Sequence, residues 1–352
     1  MDLTASVSVV VKHLFRSMLG AFVGDAAGAT LEFVRRITPE MVSEAMRMPG
    51  GGVWSVGPGQ ITDDGELTLA AWQHIERFAD GHGIPLNNLI RGYTEWFRSN
   101  PFDMGRTCSI AFGQLCKLVP ESGHVCSLNN EVRPEVMNNI QKWNYDSEAN
   151  GALMRATALA TWAVVCSRNN PEARQLSLAT DIAELDAKLS HPNEVCVEVN
   201  KIYARILYEL LNDLSPQDVL LSAEDYVGAE IKSEKVKKWF FEESLSVEDL
   251  DCSINCGHVR YAFVLAIYFL RNPHISYEEA IFRTLLKGGD TDTNACIVGG
   301  LVACYQPIPE YMEKPVLEFD CIKNGNIRPP QYSVKRLFTG ELTEIMNRYY
   351  DS

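Results

Sequence analysis

The segments Thr62-Asp63-Asp64 and Asp290-Thr291-Asp292-Thr293 hold the residue types with the most chemical capacity in this chain. Carboxylates and hydroxyls are hard oxygen ligands, so the two clusters, if folding joins them, can hold one or two divalent cations. Each opens an apolar stretch of helical spacing, which places both at helix starts. Taken singly, each has a plainer reading. Asp63 with Glu66 three residues on fits a capping box, and Asp290 to Thr293 offers several good N-cap residues. A cap, however, uses one short polar side chain. The roughly half unit of positive charge at a helix start cannot balance carboxylates that stand adjacent or two apart. The excess negative charge calls for a cation.

The elements that must position these clusters are helices. Val11, Leu14, Phe15, Met18, Leu19, Phe22 and Val23 recur at three and four, predicting an amphipathic helix that Gly24 ends. Residues 49–60 are dense in glycine and proline and predict a loop or hairpin leading into the first cluster. Leu67, Ala70, Ala71, Ile75 and Phe78 resume helical spacing. Further helices are predicted over 86–98, 107–118, 151–167, 172–189, 194–213, 257–271, 277–287 and 293–305, and no strand alternation is comparably persistent. Residues 214–254, with Lys235, Lys237 and Lys238 beside Trp239, Phe240 and Phe241, predict a peripheral helical pair. The segment 306–352 is proline-broken from Pro307 to Pro330 and is expected to wrap the surface before a final helix near 339–350. The expected fold class is all-α: a single compact, mostly orthogonal multi-helix domain over residues 1–352.

Composition bounds the function. A chain of 352 residues with 46% apolar content and 22% charge can bury a large core. Its formal charge of −14 argues against nucleic acid and against an anionic membrane as partners. The ten cysteines include no CxxC pair, and Cys252 and Cys256 lack the second pair a zinc site needs, so reduced thiols are expected. With no secretory leader and no long apolar run, a monomeric cytoplasmic protein without a membrane span is expected.

The segments GDAAGATLE (24–32), ITDDGELTLAAW (61–72) and KGGDTDTNACIVGGL (287–301) resemble the ADP-ribosylglycohydrolase family. NGALMR (150–155), the histidine of LSHPNE (189–194) and DMGRT (103–107) agree with it, in the expected order. This resemblance implies an all-helical fold and a binuclear Mg2+ or Mn2+ centre. The implied reaction is cleavage of the glycosidic bond between ADP-ribose and a protein side chain. Thr62, Asp63 and Asp64 match the family's first ligand group, and Asp290, Asp292 and Thr293 its second. Glu32 falls on a glutamate proposed to move with a substrate-gating loop. Asp103 falls where arginine-directed members place an acid near the scissile bond, which makes it the candidate for proton transfer. Asn150, Gly151, Arg155 and His191 match stretches that contact the ribose, and Gly257-His258 resembles a pocket-lining segment. Ser147 precedes the helix expected over 151–167, whose exposed amides are expected to meet a ribose or pyrophosphate oxygen.

One departure stands out: Gly65 occupies a position where many members carry threonine, and Glu66 follows, which is expected to remove a hydroxyl and add a carboxylate beside the metals. Arginine-linked ADP-ribose is the first expectation for the substrate. Serine-linked ADP-ribose, O-acetyl-ADP-ribose and poly(ADP-ribose) are the alternatives within the enzyme class. A binding module for ADP-ribose, or a structural relative such as a recruited crystallin, is the alternative outside it. Gly299 and Gly300 are read as packing residues.

Overall fold

The computed structural model describes residues 13–79, 83–121, 128–169 and 176–341. The chain passes through α1 (Arg16–Gly28), α2 (Pro39–Ala45), α3 (Asp63–Ile75), α4 (Leu86–Arg98), α5 (Arg106–Leu115), α6 (Arg133–Asn144), α7 (Ala156–Asn169) and α8 (Leu176–Lys188). It continues through α9 (Glu194–Leu211), α10 (Pro216–Glu230), α11 (Glu234–Phe241), α12 (Val259–Arg271), α13 (Tyr277–Leu285), α14 (Thr291–Val302) and α15 (Glu310–Glu318). Among the described residues no strand forms; the β features are the bridges Gly51–Val56 and Ala149–His258. The fold is all-α, and one contiguous apolar core runs from Leu14 to Leu337. None of the described helices is long and apolar enough to cross a membrane.

The axis of the molecule is the pair α1 and α14. Every residue of α1 from Ser17 to Gly28 is buried, as is all of α14. A helix buried all round must meet other helices on every side. The expected stop at Gly24 is therefore corrected: α1 runs through it to Gly28. Gly24 is there for close approach, since a Cβ on it would fall 2.0 Å from the carbonyl oxygen of Ala295. Gly20 would likewise meet Gly299, and Gly28 would meet Asp292. Glycines four apart make one smooth face along which two backbones touch, so glycine's helix penalty of about 1 kcal/mol is accepted at each. The order of these contacts makes the helices antiparallel. It sets the amino end of α14, with Asp290 and Asp292, beside the carboxyl end of α1, where the chain turns into Glu32. The Thr291 hydroxyl locks this register by donating to the Gly28 carbonyl at 2.8 Å.

The 214–254 stretch folds as α10 and α11 with a short turn of helix at Glu243–Leu245. Besides α15, two helices were not legible. α2 is only seven residues long, with Thr38 accepting from the Met41 amide as its cap. α6 buries just Val136, Ile140 and Asn144, too narrow a stripe to stand out. The helix expected from 151 opens instead with a tighter turn at Leu153–Arg155 before α7. The proline-broken segment after Pro307 contains α15, which tolerates Pro315 within it. The final helix expected near 339–350 lies outside the described residues for all but its first positions. Nine described cysteines are free, and all of them except Cys116 and Cys256 are buried.

Candidate metal centre and active site

Both acidic clusters sit where the sequence places them, at the starts of α3 and α14. Thr62 and Asp290 occupy the N-cap positions without a side-chain capping bond, while Asp292 accepts the Thr293 amide at 3.0 Å. At α3 the capping is done from another element. Asp25, in the last turns of α1, accepts the backbone amides of Thr62 at 3.0 Å and Gly65 at 2.9 Å, and the Thr62 hydroxyl at 2.8 Å. With Asp25 satisfying the exposed amides of α3, Asp63 and Asp64 are left for other work. Asp25 was not singled out from the sequence; the available signal was a lone carboxylate inside an otherwise apolar helical stretch.

The Gly65 departure has its reason here. A Cβ at Gly65 would fall 2.8 Å from Asp25 Oδ2 and as close to Ile61, so a side chain would displace the cap. The carboxylate that Glu66 adds lies near enough for its charge to raise Asp63, but it is already paired. Glu66 accepts from the Arg328 guanidinium at 2.8 and 2.9 Å and from the Trp96 indole at 2.8 Å, a buried ion pair. Trp96 and Arg328 claim its oxygens, so none is free to turn inward.

Folding brings the two clusters together. The Thr293 hydroxyl donates to Asp64 Oδ2 at 3.3 Å, and the Thr62 hydroxyl lies 3.0 Å from the same oxygen. Carboxylate oxygens of Asp25, Asp64 and Asp292 lie within 4.8 Å of one another, and so do those of Glu32, Asp103 and Asp292. Asp292 thus belongs to both groups. Asp64 Oδ1 is fully buried with no hydrogen-bond partner. An orphaned carboxylate oxygen is costly in a protein interior unless a cation or a water meets it. The donor set fits a hard divalent cation.

Above this floor lies a cavity of about 440 Å³ lined by Glu32, Phe33, Trp54, Asp63, Asp103, Arg106, Asn150, Gly151, His191, Cys256, Gly257, Asp290, Asp292 and Thr293, among others. Thr62 and Asp64 are not part of its wall; they form the layer below. Glu32 is held by the Trp54 indole, which donates to Oε2. The next residue, Phe33, has φ of 59° and an amide bonded to the Gly289 carbonyl, so the turn carrying Glu32 is strained and tied to the α14 entrance. The Asn150 amide donates to Asp290 Oδ2 at 2.8 Å. The Gly105 amide lies 3.4 Å from Asp63 Oδ2.

Packing so many acids into one site raises their pKa values in the absence of cations. Burial first, then the charge of Asp63, pushes Asp103 up to about 10. Burial and the charge of Asp290 push Glu32 up to about 8 and Asp63 up to about 7. Asp25 rises to about 8 through burial, against the pull of its donors. Asp64 and Asp292 lie well above the carboxylate range for the same reason, their leading charged neighbours being Asp25 and Glu32 respectively.

The expected sugar-contacting residues divide. Asn150, Gly151 and His191 reach the cavity, whereas Ser147 and Arg155 do not. Ser147 stands behind Thr107, its hydroxyl 2.8 Å from that residue's. Arg155 is completely buried in an ion pair with Asp186 at 2.9 Å, which rules out direct contact with a ligand. Gly257 lines the wall, but His258 turns away to Glu148 at 3.1 Å and caps α12. Trp54 and Cys256 line the wall without having been picked out as site residues. Their loop positions carry no periodic signal.

An all-α domain in which two acidic helix starts meet beneath a cavity is the class of site defined here. The sequence model of ADP-ribosylglycohydrolase matches residues 11–340, and the chain belongs to that family. It is 28% identical over 319 residues to a mimivirus protein (Acanthamoeba polyphaga mimivirus) provisionally named ADP-ribosyl glycohydrolase, covering 86% of this chain and 89% of the relative. It is also 36% identical over 93 residues to the ADP-ribosyl-dinitrogen reductase glycohydrolase of Rhodospirillum rubrum, covering 26% of this chain and 31% of that protein. Among solved structures, one described as an ADP-ribosylglycohydrolase-related protein complex superposes with a TM-score of 0.66 at 20% identity, covering 96% of this chain and 98% of its own. This last likeness concerns the fold.

Proposed function

We propose that this protein hydrolyses the glycosidic bond between ADP-ribose and a modified arginine side chain of a protein, with the help of two divalent cations, Mg2+ or Mn2+. The observation that carries the reading is the convergence of Asp64 and Asp292 with an orphaned Asp64 oxygen beneath the cavity. Thr62, Asp63, Asp64, Asp290, Asp292 and Thr293 would hold the cations. When bound, the cations supply positive charge that polarises the ribose hydroxyls and the attacking water.

The protein's own groups do the rest. Asp103 faces the cavity in a buried, acid-rich setting that favours its protonated form, and donates its proton to the leaving nitrogen of the guanidine. Glu32, held by Trp54, would ionise where bound cations offset the neighbouring carboxylates that raise it, and takes up the proton released when water adds to the anomeric carbon. Two carboxyl groups on one cavity divided into donor and acceptor follow the general logic of glycoside cleavage. The arginine acceptor is supported by charge: Glu32 and Asp290 face a cavity suited to a cationic guanidinium.

The test is release of ADP-ribose from arginine-linked and serine-linked substrates, with and without Mg2+ or Mn2+, beside the variant Asp290→Ala. Cation-dependent release from arginine, lost in the variant, is expected. Release from serine alone overturns the acceptor. Binding of ADP-ribose without release from either points to a recognition module.

A further inference from the structure

Behind the cavity wall lies a buried polar chain that the reaction above does not use. Asp186 on α8 holds Arg155 through Nε at 2.9 Å, and Tyr93 covers the guanidinium face with its ring centroid 4.6 Å away. Arg155 spends its remaining donors on the Gly151 carbonyl at 2.7 Å and on Ser190 Oγ at 2.8 Å. Ser190 Oγ in turn lies 2.9 Å from Nδ1 of His191. All of these side chains are buried, and His191, 1% exposed, is the last link before the cavity.

The proton positions follow from donor and acceptor inventory. A guanidinium only donates, so Ser190 Oγ must accept from Arg155. The single hydroxyl hydrogen then has one acceptor within reach, His191 Nδ1. The opposite arrangement, with Nδ1 donating to Oγ, would leave a buried hydroxyl hydrogen unpaired. Nδ1 is therefore the acceptor, and the ring proton sits on Nε2. No protein partner takes Nε2 among the described residues. Burial, and then the positive charge of Arg155, hold the ring pKa down to about 3, so the ring stays neutral.

Resting on the proposed function, we infer that Arg155 and Ser190 are positioning residues that fix His191 as the Nε2–H tautomer, presenting a neutral hydrogen-bond donor to an oxygen of bound ADP-ribose. Among so many carboxylates, a ligand oxygen needs a donor that cannot turn into an acceptor. A free histidine would present either face, and this chain removes the choice. Gly151 completes the geometry: a Cβ there would fall 3.0 Å from Cε1 of His191 and 3.2 Å from Nε2, so its absence leaves Nε2 open.

The experiment uses the full chain labelled with 15N-histidine, His191 being assigned by comparison with His191→Gln. Long-range proton–nitrogen spectra of the free protein between about pH 6 and pH 8 are expected to show Nε2 protonated and Nδ1 bare. Ser190→Ala is expected to mix the tautomers and weaken ADP-ribose binding by about 3- to 10-fold, the worth of one neutral hydrogen bond. Ser190→Thr, which keeps the hydroxyl, is expected to restore both readouts. A merely structural Ser190 would lower the melting temperature of the alanine variant without moving the tautomer. A wild-type ring protonated at Nδ1, or an alanine variant with unchanged tautomer and affinity, overturns the inference. Failure of the wild type to bind ADP-ribose while Nε2 is protonated overturns the proposed function instead and leaves the tautomer assignment supported.

Discussion

Thr293, at the head of α14, donates its hydroxyl to Asp64, near the head of α3, across 229 residues of sequence. That bond marks where the two acidic helix starts meet. Each start is more negative than its helix can balance, and the meeting multiplies the imbalance. Stability and function should therefore pull in opposite directions at these residues.

Cations should relieve the repulsion. A hundredfold excess of Mg2+ or Mn2+ over its Kd would stabilise the fold by about 2.7 kcal/mol, a melting-temperature rise on the order of 5 °C. Asp64→Asn should lose the rise, yet in EDTA it should melt above the wild type because the cost of holding that carboxyl, ionised or protonated, in the interior is gone. Melting curves with EDTA, Mg2+ and Mn2+ decide this. An equal cation shift in wild type and variant would count against the centre.

The same repulsion fixes a pH dependence. A group whose folded pKa is raised lends stability that is complete below its unfolded value and is lost as pH climbs through the folded one. Unfolded values of about 4, with folded values of about 7 for Asp63 and about 8 for Asp25 and Glu32, place that loss between about pH 4 and pH 8. In EDTA, urea unfolding should show stability falling from about pH 5 to pH 8 and levelling off above it, by roughly 1.4 kcal/mol per pH unit for each group still protonated in the folded state. Saturating Mg2+ should flatten the slope. A metal-free protein whose stability rises over that window would contradict the electrostatics described.

Asp103 gives a kinetic prediction. Replacing a positioned proton donor typically costs 10²- to 10⁴-fold, so Asp103→Asn should lower kcat by about that factor. Binding of ADP-ribose and the cation-induced melting shift should survive, since Asp103 is not among the proposed first ligands. Single-turnover assays beside calorimetry separate the two. A variant with normal kcat would remove Asp103 from proton transfer.

Packing makes the last prediction. Gly24→Ala would normally favour a helix by about 1 kcal/mol, but here the new methyl lands 2.0 Å from the Ala295 carbonyl, on backbone that cannot move alone. Net destabilisation of about 1–3 kcal/mol is expected from urea curves. Gly65→Thr should also destabilise, because its side chain would collide with Asp25 and Ile61. A neutral or stabilising effect at either position would show that the contact relaxes at no cost.

The sequence determined the all-α class, most of the long helices and the positions of Asp63, Asp64, Asp290 and Asp292 at helix starts. Those features are local: apolar spacing and short-range composition specify them. It did not determine that α1 continues through Gly24, because a glycine's meaning there depends on a backbone arriving from Ala295. Nor did it identify Asp25 as the cap of α3, or distinguish Arg155, sealed against Asp186, from Asn150 on the cavity wall. Partnership of this kind is decided by the antiparallel docking of α1 on α14 and by which side chains the docking leaves unpaired. Composition fixed how much negative charge the chain carries, while tertiary structure alone decided that the buried part of it converges on one floor.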